Sequence, residues 1–471
     1  IRGNTRGEFM HLLLGWKGIK MCKKDVIQMI SQSELDQMSQ EFHANQAYEL
    51  AANAAVKNGI MEASANYESM RKLPMSFSLD LKQGEITNQK ASGRCWIFAA
   101  LNTFRFEMIK KYNLSTVELS QNYLFFYDKL EKANYYLESV MTIADEPLNG
   151  RLFTFINNDP LGDGGQWDMI ANLVEKYGIV PKEAYPDAAG SLNSRWFDQY
   201  LTTKLREYGS ILRQMTLDHQ PMEEVQEAKK KMLSEFYRML CISLGEPPKT
   251  FDYTLCNKDD EVIQEFGITP KEFFQRYVGI QLSDYVSLIH SPTEDKPYEK
   301  LYTVKFLGNV YEGTPVTYLN LPMETIKEAV VAQLKDGHPV WFGSDCMKYS
   351  LRKEGIFDRK SVGVERLFDS EISFTKEDYL NYGDSAMNHA MVILGVNLDS
   401  DEKPDRWRIE NSWGKEAGQD GYYVASDSWF DSFVFQVVVN KKHLSEKLRK
   451  ILAEQDRIEL EPWDPFGTLA D

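Results

Sequence analysis

Gln89-Lys90-Ala91-Ser92-Gly93-Arg94-Cys95-Trp96 is the stretch that decides how this 471-residue chain reads. Gly93 lets the backbone turn tightly and breaks what precedes it. From Cys95 to about Lys111, the positions Trp96, Ala99, Ala100, Thr103, Phe104 and Met108 fall near helical spacing, which predicts a moderately buried helix starting at Cys95. A thiolate on that first turn lies at the positive end of the helix dipole, worth about 0.3–1 kcal/mol. An imidazolium neighbour does most of the remaining work, and such surroundings bring thiol pKa values down to about 3.5–7.5. Cys95 is therefore a candidate nucleophile. Gln89 can set a side-chain N–H beside the Cys95 backbone N–H, and two such donors hold the oxyanion of a tetrahedral intermediate. Taken alone, the stretch reads equally well as core: a buried structural thiol, packed Trp96 and Phe98, and a surface amide at Gln89.

A second stretch breaks the tie. His389 heads the apolar run Ala390-Met391-Val392-Ile393-Leu394-Gly395-Val396, and Asn411 follows Trp407-Arg408-Ile409-Glu410. The intervening residues from Asn397 to Asp405 are a polar turn. Two strands joined this way run antiparallel, so the head of the first lies beside the end of the second. His389 and Asn411 are then neighbours, and a carboxamide on one imidazole nitrogen leaves the other to face a thiol.

Around these motifs the chain has an ordinary globular balance, 43% hydrophobic and 26% charged, and is long enough for two or three packed units. Its net charge of −16 repels phosphate backbones and anionic lipids, so neither nucleic acid nor membrane is an expected partner. Five cysteines (Cys22, Cys95, Cys241, Cys256, Cys346) without a CxxC pair suit neither a disulfide framework nor a zinc site, and point to a reducing compartment, the cytoplasm. The acidic group Asp399, Asp401, Glu402 and Asp405 lacks the pattern of a calcium loop and reads as a solvated turn. No metal and no cofactor is expected.

Residues 1–20 read as a non-native or disordered leader, with Met21 as the start, and 21–70 as an N-terminal helical arm. Residues 71–190 form a helical region carrying Cys95 and the glycine loop Leu161-Gly162-Asp163-Gly164-Gly165. Residues 191–310 read as a helical insertion outside any sheet-bearing core, with a capping box at Thr269-Pro270-Lys271-Glu272. Residues 311–442 are β-rich and carry His389 and Asn411. Residues 443–471 return to helix as far as Leu460 and end in a tail too short and proline-rich for a helix or a buried strand.

Gln-x5-Cys-Trp, His-Ala and Asn-Ser-Trp-Gly, in this order, resemble the papain family of cysteine peptidases. Ile86-Thr87-Asn88 leading into Gln89, Gln121-Asn122-Tyr123-Leu124-Phe125-Phe126, Asp163-Gly164-Gly165-Gln166-Trp167-Asp168-Met169, Lys300-Leu301-Tyr302-Thr303-Val304, Val340-Trp341-Phe342-Gly343 and Pro462-Trp463-Asp464-Pro465-Phe466-Gly467-Thr468-Leu469-Ala470 narrow the resemblance to the bleomycin hydrolase and bacterial aminopeptidase C branch. It runs from about residue 70 to the end. Ser92 stands where secreted members carry a disulfide cysteine, and Asn388 stands where many carry aspartate.

The resemblance implies an α+β, two-lobed papain-like core, with a helical lobe and an antiparallel β-barrel-like lobe, extended by the helical insertion and a C-terminal arm. It implies a cysteine aminopeptidase that releases N-terminal residues from peptides through an acyl-enzyme. Cys95, His389, Asn411 and Gln89 are the implied catalytic residues; Gly164, Gly165, Trp413, Ala470 and Asp471 the implied substrate-binding ones. It also implies a homohexameric ring built by residues within 191–291 and the N-terminal helices, and a C-terminal arm lying extended in the cleft, with Asp471 open to trimming. The competing readings are an endopeptidase with an open cleft and a catalytically silent papain-fold binding protein.

Overall fold

The computed structural model describes residues 30–470, and the chain divides into two compact units between Ala63 and Ser64. The leader, the Met21 start and Asp471 lie outside the described residues. In the first unit, Ser31 and Glu34 cap each other reciprocally and start the helix Gln32–Ala44. Asn45 ends that helix and, by accepting from the Ala47 N–H, begins the next, Gln46–Asn58. These are the helices that the proline-free, Ala- and Glu-rich composition predicts.

The second unit is built around the helix Cys95–Tyr112, buried along most of its length. On one side it packs against the helices Gln121–Thr142 and Trp167–Tyr177, and on the other against the strands Val340–Ser344 and His389–Leu398. The Trp341 indole N–H donates to the Trp96 carbonyl at 3.2 Å, joining the two sides. Full burial of each such large apolar side chain is worth about 1.5–3 kcal/mol. The sheet is open and mostly antiparallel. Its middle runs Tyr285–Ile289, Val434–Asn440, Val340–Ser344, His389–Leu398, Pro404–Glu410 and Tyr422–Ser426. His389–Leu398 and Pro404–Glu410 are antiparallel, with Val392 opposite Glu410, as the polar turn between them requires.

Three readings of the sequence need correction. The helical reading of residues 191–310 holds for Arg195–Leu217 and Met222–Leu244, which pack on Gln121–Thr142. Beyond them lies a β-hairpin, Phe251–Cys256 with Val262–Ile268. Phe251, Tyr253 and Leu255 face inward and alternate with exposed residues, a period of two that the helical reading overlooked. Tyr285–Ile289 and Lys300–Val304 belong to the main sheet, so this stretch does share the sheet-bearing core. The capping box at Thr269 does form, but Pro270–Phe273 is a single turn that widens into a π-turn. Near the end, the helix covers only Glu446–Glu454, and Arg457–Leu460 is a strand beside Lys300–Val304. The tail is not extended: Pro465–Ala470 winds into a 3-10 helix. Proline at its first position suits a helix start, and Asp464 caps it, its carboxylate accepting the Phe466 N–H at 3.0 Å and its carbonyl the Gly467 N–H at 2.9 Å.

Candidate active site

Cys95 is the first residue of its helix and is 5% exposed. The carbonyls that accept further along the helix do not reach this turn, so the Cys95 N–H has no intrahelical partner. Its Sγ accepts the Ala390 N–H at 3.5 Å, which places the sulfur beside the first residues of the strand His389–Leu398. His389 Nε2–H donates to Asn411 Oδ1 at 2.8 Å. The Ser412 N–H donates to the same oxygen at 2.7 Å, which fixes the amide orientation and hence the proton on Nε2. Nδ1 keeps its lone pair. The Trp413 ring stacks on the imidazole at 4.8 Å and 29°.

A buried ion pair sets the strand end against the helix. Glu410, next to Asn411, binds Arg105 of the helix Cys95–Tyr112 and accepts from Asn102 at 3.0 Å and Gln83 at 2.9 Å. Such a pair adds little net stability. Its consequence here is register: the helix carrying Cys95 cannot slide along the strand leading to Asn411 without leaving a charge unpaired.

Gln89 sits beside the same strand end. Its amide Oε1 accepts the Ser412 hydroxyl at 2.6 Å, and Nε2 donates one N–H to the Ser92 carbonyl at 2.7 Å. With the carbonyl end so engaged, the amide is oriented and a second N–H remains on Nε2.

The glycine loop supplies the opposite wall. A Cβ on Gly165 would lie 2.6 Å from the Trp96 indole, and one on Gly164 would run into the Leu469 carbonyl, so neither position admits a side chain. Two buried lysines hold the loop from beneath. Lys132 Nζ donates to the Gly162 and Gly164 carbonyls, both at 2.6 Å, and Lys129 Nζ pairs with Asp163 at 2.6 Å and Asp198 at 2.7 Å. The other Asp163 oxygen accepts the Gly93 N–H at 2.8 Å and the Ser194 hydroxyl at 2.6 Å.

The C-terminal tail lies on this loop. Gly165 N–H donates to the Leu469 carbonyl at 3.0 Å, and the Ala470 backbone packs against Gly164. Thr468 donates to the Met387 carbonyl at 2.9 Å, two residues before His389, and Tyr318 donates to the Phe466 carbonyl at 2.9 Å. Asp464 pairs with Lys296 at 3.0 Å, and the Arg151 guanidinium stacks on Trp463 at 3.8 Å. The tail is thus anchored from Trp463 onward.

Burial sets the protonation tendencies. It pushes the Cys95 thiol up to about 11, against the opposing N–H groups of Ala390 and Trp96. It lowers His389 to about 4, opposed by the Asn411 bond and assisted by the Arg352 charge. Each group alone prefers its neutral form where it is buried. Among the described residues no cluster suited to a metal ion occurs.

Cys95, His389, Asn411, Gln89 and Trp413 are therefore brought together where the helix start meets the head of the strand His389–Leu398, and Gly164, Gly165 and Ala470 pack on one another. Asp163, Lys129, Lys132 and Ser412 were missed as contributors. Ser412 was visible between Asn411 and Trp413. Lys129 and Lys132 carried a fainter signal, two lysines on the buried face of a helix that also presents Phe125 and Tyr136.

The arrangement of helix-start thiol, imidazole, carboxamide and glycine loop is that of a papain-like cysteine peptidase, and comparison with known proteins agrees. The Peptidase C1-like family model matches residues 29–467, and the chain belongs to that family. It is 46% identical to an aminopeptidase C of Lactobacillus delbrueckii subsp. lactis, over 94% of this chain and 98% of that protein. It is also 46% identical to an aminopeptidase C of Streptococcus thermophilus, over 91% and 96%. The crystal structure of PepW from Lactobacillus rhamnosis superposes with a TM-score of 0.91 at 44% identity, covering 93% of this chain and 98% of that one. The chain is a cysteine aminopeptidase with a papain-like core.

Proposed function

We propose that Cys95 is the nucleophile, His389 its base, Asn411 the residue that orients the base, and Gln89 an oxyanion donor. His389 Nδ1 takes the thiol proton as Sγ attacks the carbonyl carbon of the substrate's first residue. The oxyanion is held by the Cys95 N–H and the free Nε2–H of Gln89. Collapse of the intermediate breaks the peptide C–N bond, and His389 returns its proton to the departing amine. Water, deprotonated by His389, then hydrolyses the thioester and frees the amino acid. Trp413 shields the His389–Asn411 hydrogen bond from water.

The observation that carries the exopeptidase reading is the Gly165–Leu469 hydrogen bond. An anchored tail on the glycine loop fills the space that residues preceding the scissile bond need. One substrate residue then fits between tail and thiol. An endopeptidase needs that space open, and a silent binding protein has no need of the complete Gln89, Cys95, His389 and Asn411 set.

The expected substrates are peptides rather than folded proteins, and the expected assembly is a homohexameric ring in the cytoplasm. Among the described residues no helix is long and apolar enough to cross a membrane. Exposed Trp196, Tyr200 and Ile242 on the paired helices, and Leu35, Met38 and Phe42 near the N-terminus, support self-association. A panel of fluorogenic aminoacyl substrates with free or blocked amines, with and without iodoacetamide, tests the function. Thiol-sensitive turnover of free-amine substrates only is expected; equal turnover of blocked ones contradicts it.

A further inference from the structure

We propose that Arg352 recognises the free C-terminal carboxylate of short peptides, so that the enzyme favours tri- and tetrapeptides with an unmodified C-terminus. The inference rests on the catalytic reading above, in which the departing amine takes its proton from His389.

Three side chains form a column at that end of the cleft. Trp413 stacks on His389 at 4.8 Å, and the Arg352 guanidinium carbon lies 4.2 Å from the centre of the Trp413 ring. Arg352 is exposed. Among the described residues its side chain has the Trp413 face and the Tyr423 hydroxyl as neighbours and no carboxylate at ion-pair distance. Its backbone is nonetheless fixed. The Arg352 carbonyl accepts the Gly418 N–H at 3.0 Å and the Tyr423 hydroxyl at 3.1 Å. The hairpin Ser350–Leu351 with Ile356–Phe357, in which it sits, is bonded to the strand Tyr422–Ser426. A positive charge is thus carried on a fixed stretch of backbone, with no carboxylate at ion-pair distance among the described residues.

The direction of the substrate follows from the tail. The glycine-loop side of the cleft is filled by Leu469 and Ala470, so a peptide enters with its first residue there and runs away past His389. The departing segment crosses the Trp413 face and meets Arg352. The two stacking distances correspond to about two or three extended residues at roughly 3.3–3.6 Å each. The carboxylate of a tri- or tetrapeptide therefore ends near the guanidinium, whereas a longer chain carries its carboxylate beyond it. A planar guanidinium offers paired N–H donors to that group, which an amidated terminus cannot match in charge. The Arg352 charge is already felt inside the site, where it adds to the effect of burial in holding His389 below the usual imidazole range.

The simpler role for Arg352 is to prop Trp413 against His389. A prop affects every substrate alike; a carboxylate reader affects only those with a free, near carboxylate. The test measures kcat/KM for leucylglycylglycine, for a leucyl hexapeptide, and for the C-terminal amide of each. Wild-type enzyme, Arg352→Met (which keeps the aliphatic stem over Trp413) and Arg352→Lys are compared. The expected wild-type preference for the tripeptide acid over its amide is about fivefold, the upper range of a partly exposed ion pair. It should shrink with added salt and be absent in the hexapeptide. Arg352→Met should bring the acid-to-amide ratio to about one, and Arg352→Lys should keep part of it. The proposal is overturned if wild type does not distinguish acid from amide, or if Arg352→Met lowers both and keeps their ratio. A wild-type enzyme inactive on the whole series overturns the catalytic reading beneath it as well.

Discussion

Asp163 accepts the Gly93 N–H at 2.8 Å, tying the loop of Gly164 and Gly165 to the turn that leads into Cys95. Lys129 stands behind that contact, paired with Asp163 and Asp198. Loop and Cys95 are thereby one mechanical piece, held by charge and hydrogen bonds where Ser92 replaces the disulfide cysteine of the secreted enzymes it resembles.

Asp163→Asn keeps an acceptor for Gly93 and withdraws the charge from Lys129, which retains Asp198. A loss of about 1–3 kcal/mol in unfolding free energy is expected, with a larger loss and a lower kcat/KM for Asp163→Ala. Burial alone would raise the Asp163 carboxyl, but Lys129 and the bonds from Ser194 and Gly93 hold it well below the usual range. A depressed acid stabilises above its unfolded value, so the wild-type advantage should be full at neutral pH and fade as pH falls below about 4. Urea unfolding across pH reads both effects; an advantage that grows on acidification contradicts them.

The thiol and imidazole should titrate as a pair. Wild-type enzyme is expected to be alkylated by iodoacetamide at Cys95 near neutral pH. In His389→Ala the thiolate loses its counter-charge while the burial that pushes the thiol toward about 11 remains. Its alkylation midpoint should move above that of an ordinary cysteine, about 8.5. An unshifted profile in the variant would mean that His389 does not charge the thiol.

Gln89→Ala should lower kcat by roughly 10²–10³ with little change in KM, the usual result of losing one oxyanion donor. Ser412→Ala leaves that donor present but frees the amide to rotate, so its loss should be smaller. Single-turnover acylation rates separate the two; equal losses would make Ser412 more than an orienting residue.

The meeting of His389 with Asn411 was legible in the sequence because it depends on local rules. A polar turn between two apolar strands sufficed to bring His389 and Asn411 together, and a glycine before Cys95 to start its helix. The glycine loop was legible as a loop, but its support was not. Lys129 and Lys132 reach it from a separate helix, and nothing in their spacing says which carbonyls they meet. The hairpin Phe251–Cys256 with Val262–Ile268 was hidden by the two long helices before it, which biased the reading of the whole stretch. The tail's placement in the cleft was foreseen from resemblance, yet its winding was not: Pro465 argued against a helix by composition, whereas at a first helical position it favours one.

A homohexamer predicts a scattering mass six times the 54.4 kDa of one chain at micromolar concentration. Charged substitutions at Trp196 and Tyr200, both exposed on the helix Arg195–Leu217, should reduce it. A monomeric mass for the unaltered protein contradicts the ring.

The central claim is that an anchored tail turns an open peptidase cleft into an aminopeptidase. Deleting residues 466–471 removes the Leu469 carbonyl from Gly165 while leaving Cys95, His389, Asn411 and Gln89 in place. The decisive measurement is the ratio of kcat/KM for a free-amine peptide to that for its N-acetylated counterpart, together with the cleavage sites in a longer peptide by mass spectrometry. The account predicts that the truncated enzyme loses its preference for the free amine and cuts internally. A truncated enzyme that still releases only the first residue, with its free-amine preference intact, would contradict it.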